Sequence, residues 1–232
     1  MPTTKAAAQL SDRSPRVAVA AADATKPEID PSHHGSFLRQ FILNPGDIGA
    51  IAPSSPALAA RMVAAVDFDK ADAVLEYGPG TGAFTGAILS KLRPTAKFVA
   101  IELNPSYSDI LRKRFPLAKY PQARIVNDSA TNVAKICKAE GLGEGACVDA
   151  VISGLPWASF PEELQDALLG EMLKVLRPGG VFVTFGYHIG TLLPAGKRFY
   201  AKSKRLFAHV DRSELVWLNL PPAFVFRCVR GG

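Results

Sequence analysis

Glu76-Tyr77-Gly78-Pro79-Gly80-Thr81-Gly82 sets one carboxylate ahead of three glycines at alternate positions. Gly78, Gly80 and Gly82 carry no side chain that would hold a ligand off the backbone. A helix entered near Gly82 aims unpaired N–H groups at an incoming negative group. Glu76 asks for the opposite charge. A loop built for phosphate would exclude a carboxylate there, whereas a ligand bearing an ammonium group favours one. Glu102 follows the glycines by roughly 20 residues, the offset at which an acid hydrogen-bonds ribose hydroxyls, with Leu103 beside it. In Asn127-Asp128-Ser129-Ala130, Asp128 can accept from an exocyclic amine while the N–H groups of Ser129 and Ala130 meet ring nitrogens. The ligand implied is a nucleoside with an amino-acid end. NAD fits less well, because its pyrophosphate prefers Gly-x-Gly-x-x-Gly and would be repelled by Glu76.

These residues make one site only if successive strands deliver them to the same edge. Apolar runs at 73–77, 98–102, 123–127, 148–153 and 181–185 read as strands, and 82–92, 107–115, 132–139 and 161–176 as the helices between them. Leu176-Arg177-Pro178-Gly179-Gly180 reads as a turn into the fifth strand. Two further runs, 214–218 and 223–229, flank Asn219-Leu220-Pro221-Pro222 and fit an antiparallel pair at the sheet's edge. The expected fold is α/β and Rossmann-like, a seven-stranded, mostly parallel sheet with an antiparallel edge hairpin. Such sheets bind ligands at the strands' carboxyl ends. Each acid ends a strand, so the three reinforce one another. The fourth strand ends in Ser153-Gly154-Leu155-Pro156-Trp157, at the central crevice where the reacting group would project.

The chain has 232 residues, 48% of them hydrophobic, enough for one buried core. Residues 1–32 lack apolar periodicity and read as a disordered arm, with one domain over 33–232. An amphipathic helix is expected at 36–43, where Phe37, Leu38, Phe41 and Ile42 share a face, and a second helix at 55–66 with Pro56 in its first turn. Cys137, Cys147 and Cys228 show neither metal nor disulfide spacing, which suits a reducing cytosol. No apolar run approaches the ~20 residues of a membrane span. The net charge is +6, and its whole excess lies in residues 186–232, with eight Lys/Arg against Asp211 and Glu214. Those cations interleave with Phe199, Tyr200, Leu206 and Phe207, a mixture suited to phosphates of nucleic acid or of anionic lipid.

The loop at Glu76 resembles the E/DxGxGxG loop of class I S-adenosylmethionine (SAM) methyltransferases, which names SAM as cofactor and S-adenosylhomocysteine as product. Adenine N6-methyltransferases, including the rRNA adenine dimethylases, are similar in this half and give the alternative reading, methylation of RNA or DNA. They use an Asn-Leu-Pro-Tyr type loop, and this chain has Gly154 where that Asn stands. An added base-binding domain is also expected of such an enzyme, and the residues after Arg230 do not supply one. The chain from about Phe37 to Arg230 resembles the bacterial phospholipid N-methyltransferases, which convert phosphatidylethanolamine stepwise to phosphatidylcholine. The resemblance rests on Phe37-Leu38-Arg39, Gly49-Ala50-Ile51-Ala52-Pro53-Ser54-Ser55, Ser153-Gly154-Leu155-Pro156, Phe185-Gly186-Tyr187 and Trp217-Leu218-Asn219-Leu220-Pro221-Pro222-Ala223. Trp157 and the long basic stretch between Tyr187 and Trp217 depart from it, which leaves an ornithine-type lipid open as substrate.

The resemblance implies that Ser54 and Ser55 join Glu76, Gly78, Gly80, Gly82, Glu102, Leu103, Asp128, Ser129, Ala130 and Ser153 around the cofactor. Ser153, Trp157, Tyr187 and His188 are the expected catalytic residues: aromatic faces of Trp157 and Tyr187 for a methylated ammonium, and His188 to take the amine proton. Gly154, Leu155, Pro156, Arg39, Lys197 and Arg198 are the expected substrate contacts, the cations serving the lipid phosphate. No metal is required. The implied partners are an amine-bearing lipid and an anionic membrane surface rather than nucleic acid. The chain is then expected to be a cytoplasmic monomer, peripheral to the membrane's inner face.

Overall fold

The computed structural model of the chain describes residues 54–232. The expected arm at 1–32, the helix at 36–43 and Arg39 lie outside the described residues. From Ser54 onward the chain builds α1 (Pro56–Val63), β1 (Ala73–Tyr77), α2 (Thr85–Lys91), β2 (Lys97–Glu102), α3 (Pro105–Arg114), β3 (Ala123–Asn127) and α4 (Val133–Ala139). It continues with β4 (Val148–Ser153), α5 (Glu162–Val175), β5 (Leu176–Tyr187), α6 (His188–Leu192), α7 (Pro194–Leu206), β6 (His209–Arg212) and β7 (Ala223–Val229). The sheet order is β3-β2-β1-β4-β5-β7-β6. The first five strands pair in parallel, while β7 runs antiparallel to both β5 and β6. This is the expected Rossmann-like sheet with an antiparallel edge.

Every residue of β1 is buried, because helices cover both faces of the parallel strands. The period of two then sorts the apolar side chains into two cores. Leu75, Tyr77, Val99, Ile101 and Phe182 pack towards α4 and α5, whereas Val74, Phe98, Ala100, Ile152 and Val183 pack towards α1, α2 and α3. Strand order reverses between β1 and β4, so the crevice at their carboxyl ends becomes the site.

Three expectations need correction, and one element was not foreseen. The run 214–218 is not a strand: only Val216 bridges, to Ala223, and the sixth strand is formed earlier by His209–Arg212. Trp217 and Leu218 point outward instead of alternating into a core. The presumed turn at 176–180 is the irregular start of β5, with a register shift against β4 and Gly179 at φ 76°. Helix α2 starts at Thr85, not at Gly82, because the glycine loop is still turning through residue 84. The basic stretch, for which no element was expected, holds α7.

The two ends of the described chain are tied by Asn219. It is 2% exposed, its Oδ1 accepts from the Ser55 N–H at 2.9 Å, and its Nδ2 donates to the Pro221 carbonyl at 2.7 Å. Ser55 caps α1 by accepting from the Leu58 N–H at 3.2 Å. Asn219→Ala leaves a buried N–H and a carbonyl without their partners, and is expected to cost about 1–3 kcal/mol in urea unfolding. A change within error would show that the link is not structural.

Candidate functional site

At the end of β1, Glu76 is fully buried. Its Oε2 accepts from the Thr85 hydroxyl at 2.7 Å, and its Oε1 has no hydrogen-bond partner among the described residues. Burial pushes its pKa up to about 8; the Thr85 hydroxyl opposes that shift, and the charge of nearby Glu102 adds to it. An arriving cation relieves all of this at once, since it partners Oε1 and offsets the repulsion from Glu102. Thr85 was not foreseen, although it opens the helix that follows the glycine loop.

The glycines contribute shape more than donors. Gly78, Gly80 and Gly82 all have positive φ, at 63°, 57° and 91°. Contrary to the expected row of unpaired N–H groups, all three donate internally. Gly78 donates to the Ile101 carbonyl at 3.0 Å and Gly82 to the Pro79 carbonyl at 2.8 Å. Gly80 donates to Glu102 Oε2 at 2.9 Å. Gly80 faces open space, with nothing among the described residues within 4 Å of where a Cβ would stand. Glu102, at the end of β2, also accepts from the Asn104 N–H at 2.8 Å through Oε1. Each of its oxygens keeps a lone pair for a ribose hydroxyl. Burial raises its pKa while the backbone N–H bonds oppose this.

Beyond β3, Asp128 is half-buried, and its Oδ1 accepts from the Ser129 N–H at 2.6 Å and the Asn132 amide at 2.9 Å. The Ser129 N–H is thereby engaged by its neighbour rather than free for a ring nitrogen. Ser129 and Ala130 are buried, Leu103 packs on the core beside them, and Ser54 is half-buried next to Ser55. These groups fit SAM. The unpartnered Glu76 oxygen suits its ammonium, the open face of Gly80 leaves room, and Glu102 and Asp128 suit its nucleoside.

Ser153 and Trp157 are core residues in this structure. Ser153 is fully buried and its hydroxyl accepts from the Trp157 indole N–H at 2.9 Å and the Leu155 N–H at 3.2 Å. Trp157 is 1% exposed, stacks on Phe199 at 5.1 Å and meets the edges of Phe160 and Phe182. The indole is therefore largely enclosed, with its remaining surface in the wall of an adjoining pocket. Gly154 donates to the Tyr77 carbonyl at 2.8 Å, and a Cβ on it would lie 2.6 Å from the Gly78 carbonyl oxygen. Leu155 is buried and Pro156 half-buried.

Tyr187 ends β5 with its hydroxyl buried and, among the described residues, unpartnered, and its ring on Phe185, which in turn meets Phe84. Burial raises its pKa, so it stays protonated near neutrality. His188 is exposed, with its ring against Phe224. A pocket of about 170 Å³ opens beside Trp157 between β5, β7 and α7, with Phe185, Tyr200 and Phe226 in its walls and Lys197 and Arg212 among its lining. Lys197 therefore reaches the pocket, Arg198 is exposed outside its lining, and Arg212 joins unforeseen. Among the described residues no cluster of three or more His, Cys, Asp or Glu could hold a metal ion.

Glu76→Ala is expected to weaken SAM binding about tenfold or more, the value of a hydrogen bond to a charged group; calorimetry showing near-normal affinity would remove Glu76 from the site. The raised pKa also has a sign. Between the ordinary carboxylate value and about 8 the folded, cofactor-free chain holds a proton that the unfolded chain has released. Stability contributed by Glu76 therefore falls as pH rises through that window. Thermal melts across it should show the decline, and Glu76→Gln should flatten it.

Residues 74–180 match the family described as methyltransferase domain. The ornithine lipid N-methyltransferase of Singulisphaera acidiphila is 33% identical over 195 residues, 83% of this chain and 93% of that protein. The ribosomal RNA small subunit methyltransferase A of Parasynechococcus marenigrum is 32% identical over 118 residues, only 51% of this chain and 36% of its own length. Among solved structures, the O-methyltransferase of Bacillus cereus in complex with S-adenosylhomocysteine matches at TM-score 0.61 and 15% identity, over 88% of this chain and 94% of that one. A Streptomyces achromogenes O-methyltransferase of tomaymycin synthesis, in complex with SAM, matches at 0.57 and 21%, over 88% and 92%. These likenesses show the fold, and the relative matched over nearly its whole length shows the lineage. The chain belongs to the bacterial lipid N-methyltransferase family and is a SAM-dependent enzyme.

Proposed function

We propose that the enzyme methylates the amine head group of a membrane lipid, an ornithine-type lipid or phosphatidylethanolamine. The observation that carries this reading is the 2.6 Å approach between a Cβ at position 154 and the Gly78 carbonyl oxygen. Adenine-methylating relatives have an Asn there, and this backbone leaves no room for one. The aromatic pocket beside the loop, with Lys197 and Arg212 among its lining, suits an amine whose other end carries an anionic group. The Singulisphaera relative is an ornithine lipid N-methyltransferase, which supports an ornithine lipid over phosphatidylethanolamine.

SAM bound at this site supplies a sulfonium methyl for in-line displacement by a neutral amine. The chain's residues must then hold the amine's lone pair in line and shelter the product ammonium. Tyr187 is the aromatic face best placed for that, because Trp157 is enclosed by Phe160, Phe182 and Phe199. His188, exposed directly after β5, passes the amine proton to solvent. Membrane association at the cytoplasmic face and action as a monomer complete the reading.

Labelled SAM incubated with ornithine lipid, phosphatidylethanolamine and ribosomal RNA should place label in lipid nitrogen; label in RNA alone would overturn the proposal. If Tyr187 serves through its face, Tyr187→Ala should lower kcat/KM by roughly 10- to 30-fold, the value of a desolvated cation–π contact. Tyr187→Phe should stay near the unsubstituted enzyme. Equal losses in both would assign the effect to the hydroxyl.

A further inference from the structure

The loop between β6 and β7 is inside out. Its Trp217, Leu218 and Leu220 are 73%, 81% and 76% exposed, while the amide between them, Asn219, is 2% exposed. A loop shaped only by water would do the reverse. Nor is this arrangement slack. Asn219 is held by the Ser55 N–H at 2.9 Å and the Pro221 carbonyl at 2.7 Å, its own N–H donates to the Val216 carbonyl at 3.3 Å, and Val216 bridges to Ala223. The buried amide holds three apolar tips outward.

A second group of the same kind adjoins it. Ile189, Leu192 and Leu193, in and just after α6, are 67%, 58% and 51% exposed. The His188 N–H donates to the Pro222 carbonyl at 2.8 Å, which joins the start of α6 to the end of the loop. Among the described residues, six of the nine exposed large hydrophobics fall on these two segments, so the apolar surface is concentrated rather than scattered. Both segments meet where β5 ends and β7 begins, the edge that carries Tyr187. Cations flank them. Lys197 and Arg198 lie in the first turns of α7, and Arg212 packs over Phe224 at 4.4 Å; all three are exposed. Lys202 is the exception, buried against Asp166 at 2.5 Å and Glu162 at 3.5 Å.

We infer that Trp217, Leu218 and Leu220, with Ile189, Leu192 and Leu193, form an insertion surface that enters an anionic lipid bilayer. The inference deepens the lipid-substrate reading and rests on it. Trp is suited to the membrane–water boundary, the leucines to the acyl region just below, and the flanking cations to anionic head groups. Charge complementarity selects the bilayer over a second copy of the chain, whose own basic face would be repelled. Insertion at this edge presents the mouth of the site to the head-group layer, so a lipid amine need not leave the membrane to react.

The test uses the full chain with vesicles of phosphatidylcholine and phosphatidylglycerol, which hold no amine acceptor, and without SAM. Trp217 is the exposed tryptophan and Trp157 the buried one, so vesicle-dependent emission reports the loop, with Trp217→Phe as control. The expected result is a blue shift and quenching by acyl-brominated lipid, both lost in that control. A Leu218→Asp, Leu220→Asp double variant should lose vesicle affinity about tenfold or more while keeping its melting temperature. It should still methylate a dispersed short-chain amine lipid at the unsubstituted rate. Unchanged Trp217 emission on vesicle addition would overturn the inference. So would emission already blue-shifted without vesicles, whether the covering agent is the chain's own residues before Ser54 or a dimer partner seen in sedimentation. Failure to methylate any lipid, with insertion intact, would instead strike the proposed function alone.

Discussion

A carboxylate buried at the end of a central strand is the constraint around which the rest is arranged. Glu76 sits at the carboxyl end of β1, with Thr85 its one hydrogen-bonding partner among the described residues and the charge of Glu102 close enough to oppose ionisation. Such a group is costly to bury, and a fold retains it when a cation comes to meet it. The sheet order answers that need, since the reversal between β1 and β4 opens a crevice above this position. The glycine loop closes its N–H groups internally and leaves space at Gly80, while Glu102 and Asp128 stand at the ends of the next two strands.

On the acceptor side the deciding constraint is backbone proximity. Gly154 lies so near the Gly78 carbonyl that a side chain has no place, and Leu155 fills the space over Gly78. The cofactor loop and the acceptor loop are therefore parts of one packed unit, braced beneath by the hydrogen bond from Trp157 to Ser153 and by the Phe160, Phe182 and Phe199 rings. An orienting amide cannot be added here, and the function we propose passes substrate choice to Tyr187 and to the pocket between β5, β7 and α7. The apolar tips and flanking cations continue from that pocket's edge to the surface.

Much of this was legible because strand ends carry their own markers. The five parallel strands are continuous apolar runs, and Glu76, Glu102, Asp128 and Ser153 each close one or follow directly, so position in sequence translated into position on the sheet. Helix α7 was not legible. Its buried positions are Gly196, Phe199, Lys202 and Ser203, a helical spacing with one large apolar residue, and a lysine is buried only because α5 supplies Asp166 and Glu162. The run 214–218 misled for the converse reason: its apolar residues face outward, and hydrophobicity alone does not say which side is water. Trp157 was read as a ligand face because its place after β4 said nothing of the aromatic rings that enclose it.

The amino-acid sequence by itself determined the five parallel strands and the kind of cofactor, because hydrophobic periodicity and glycine spacing act locally and need no partner. Only the tertiary structure decided which polar atoms are satisfied. Asn219 reaches back 164 positions to Ser55, Thr85 finds Glu76, and Gly154 meets Gly78. Those pairings depend on distances that exist only once the strands are side by side. They separate residues that face a ligand from residues that hold the loops in place.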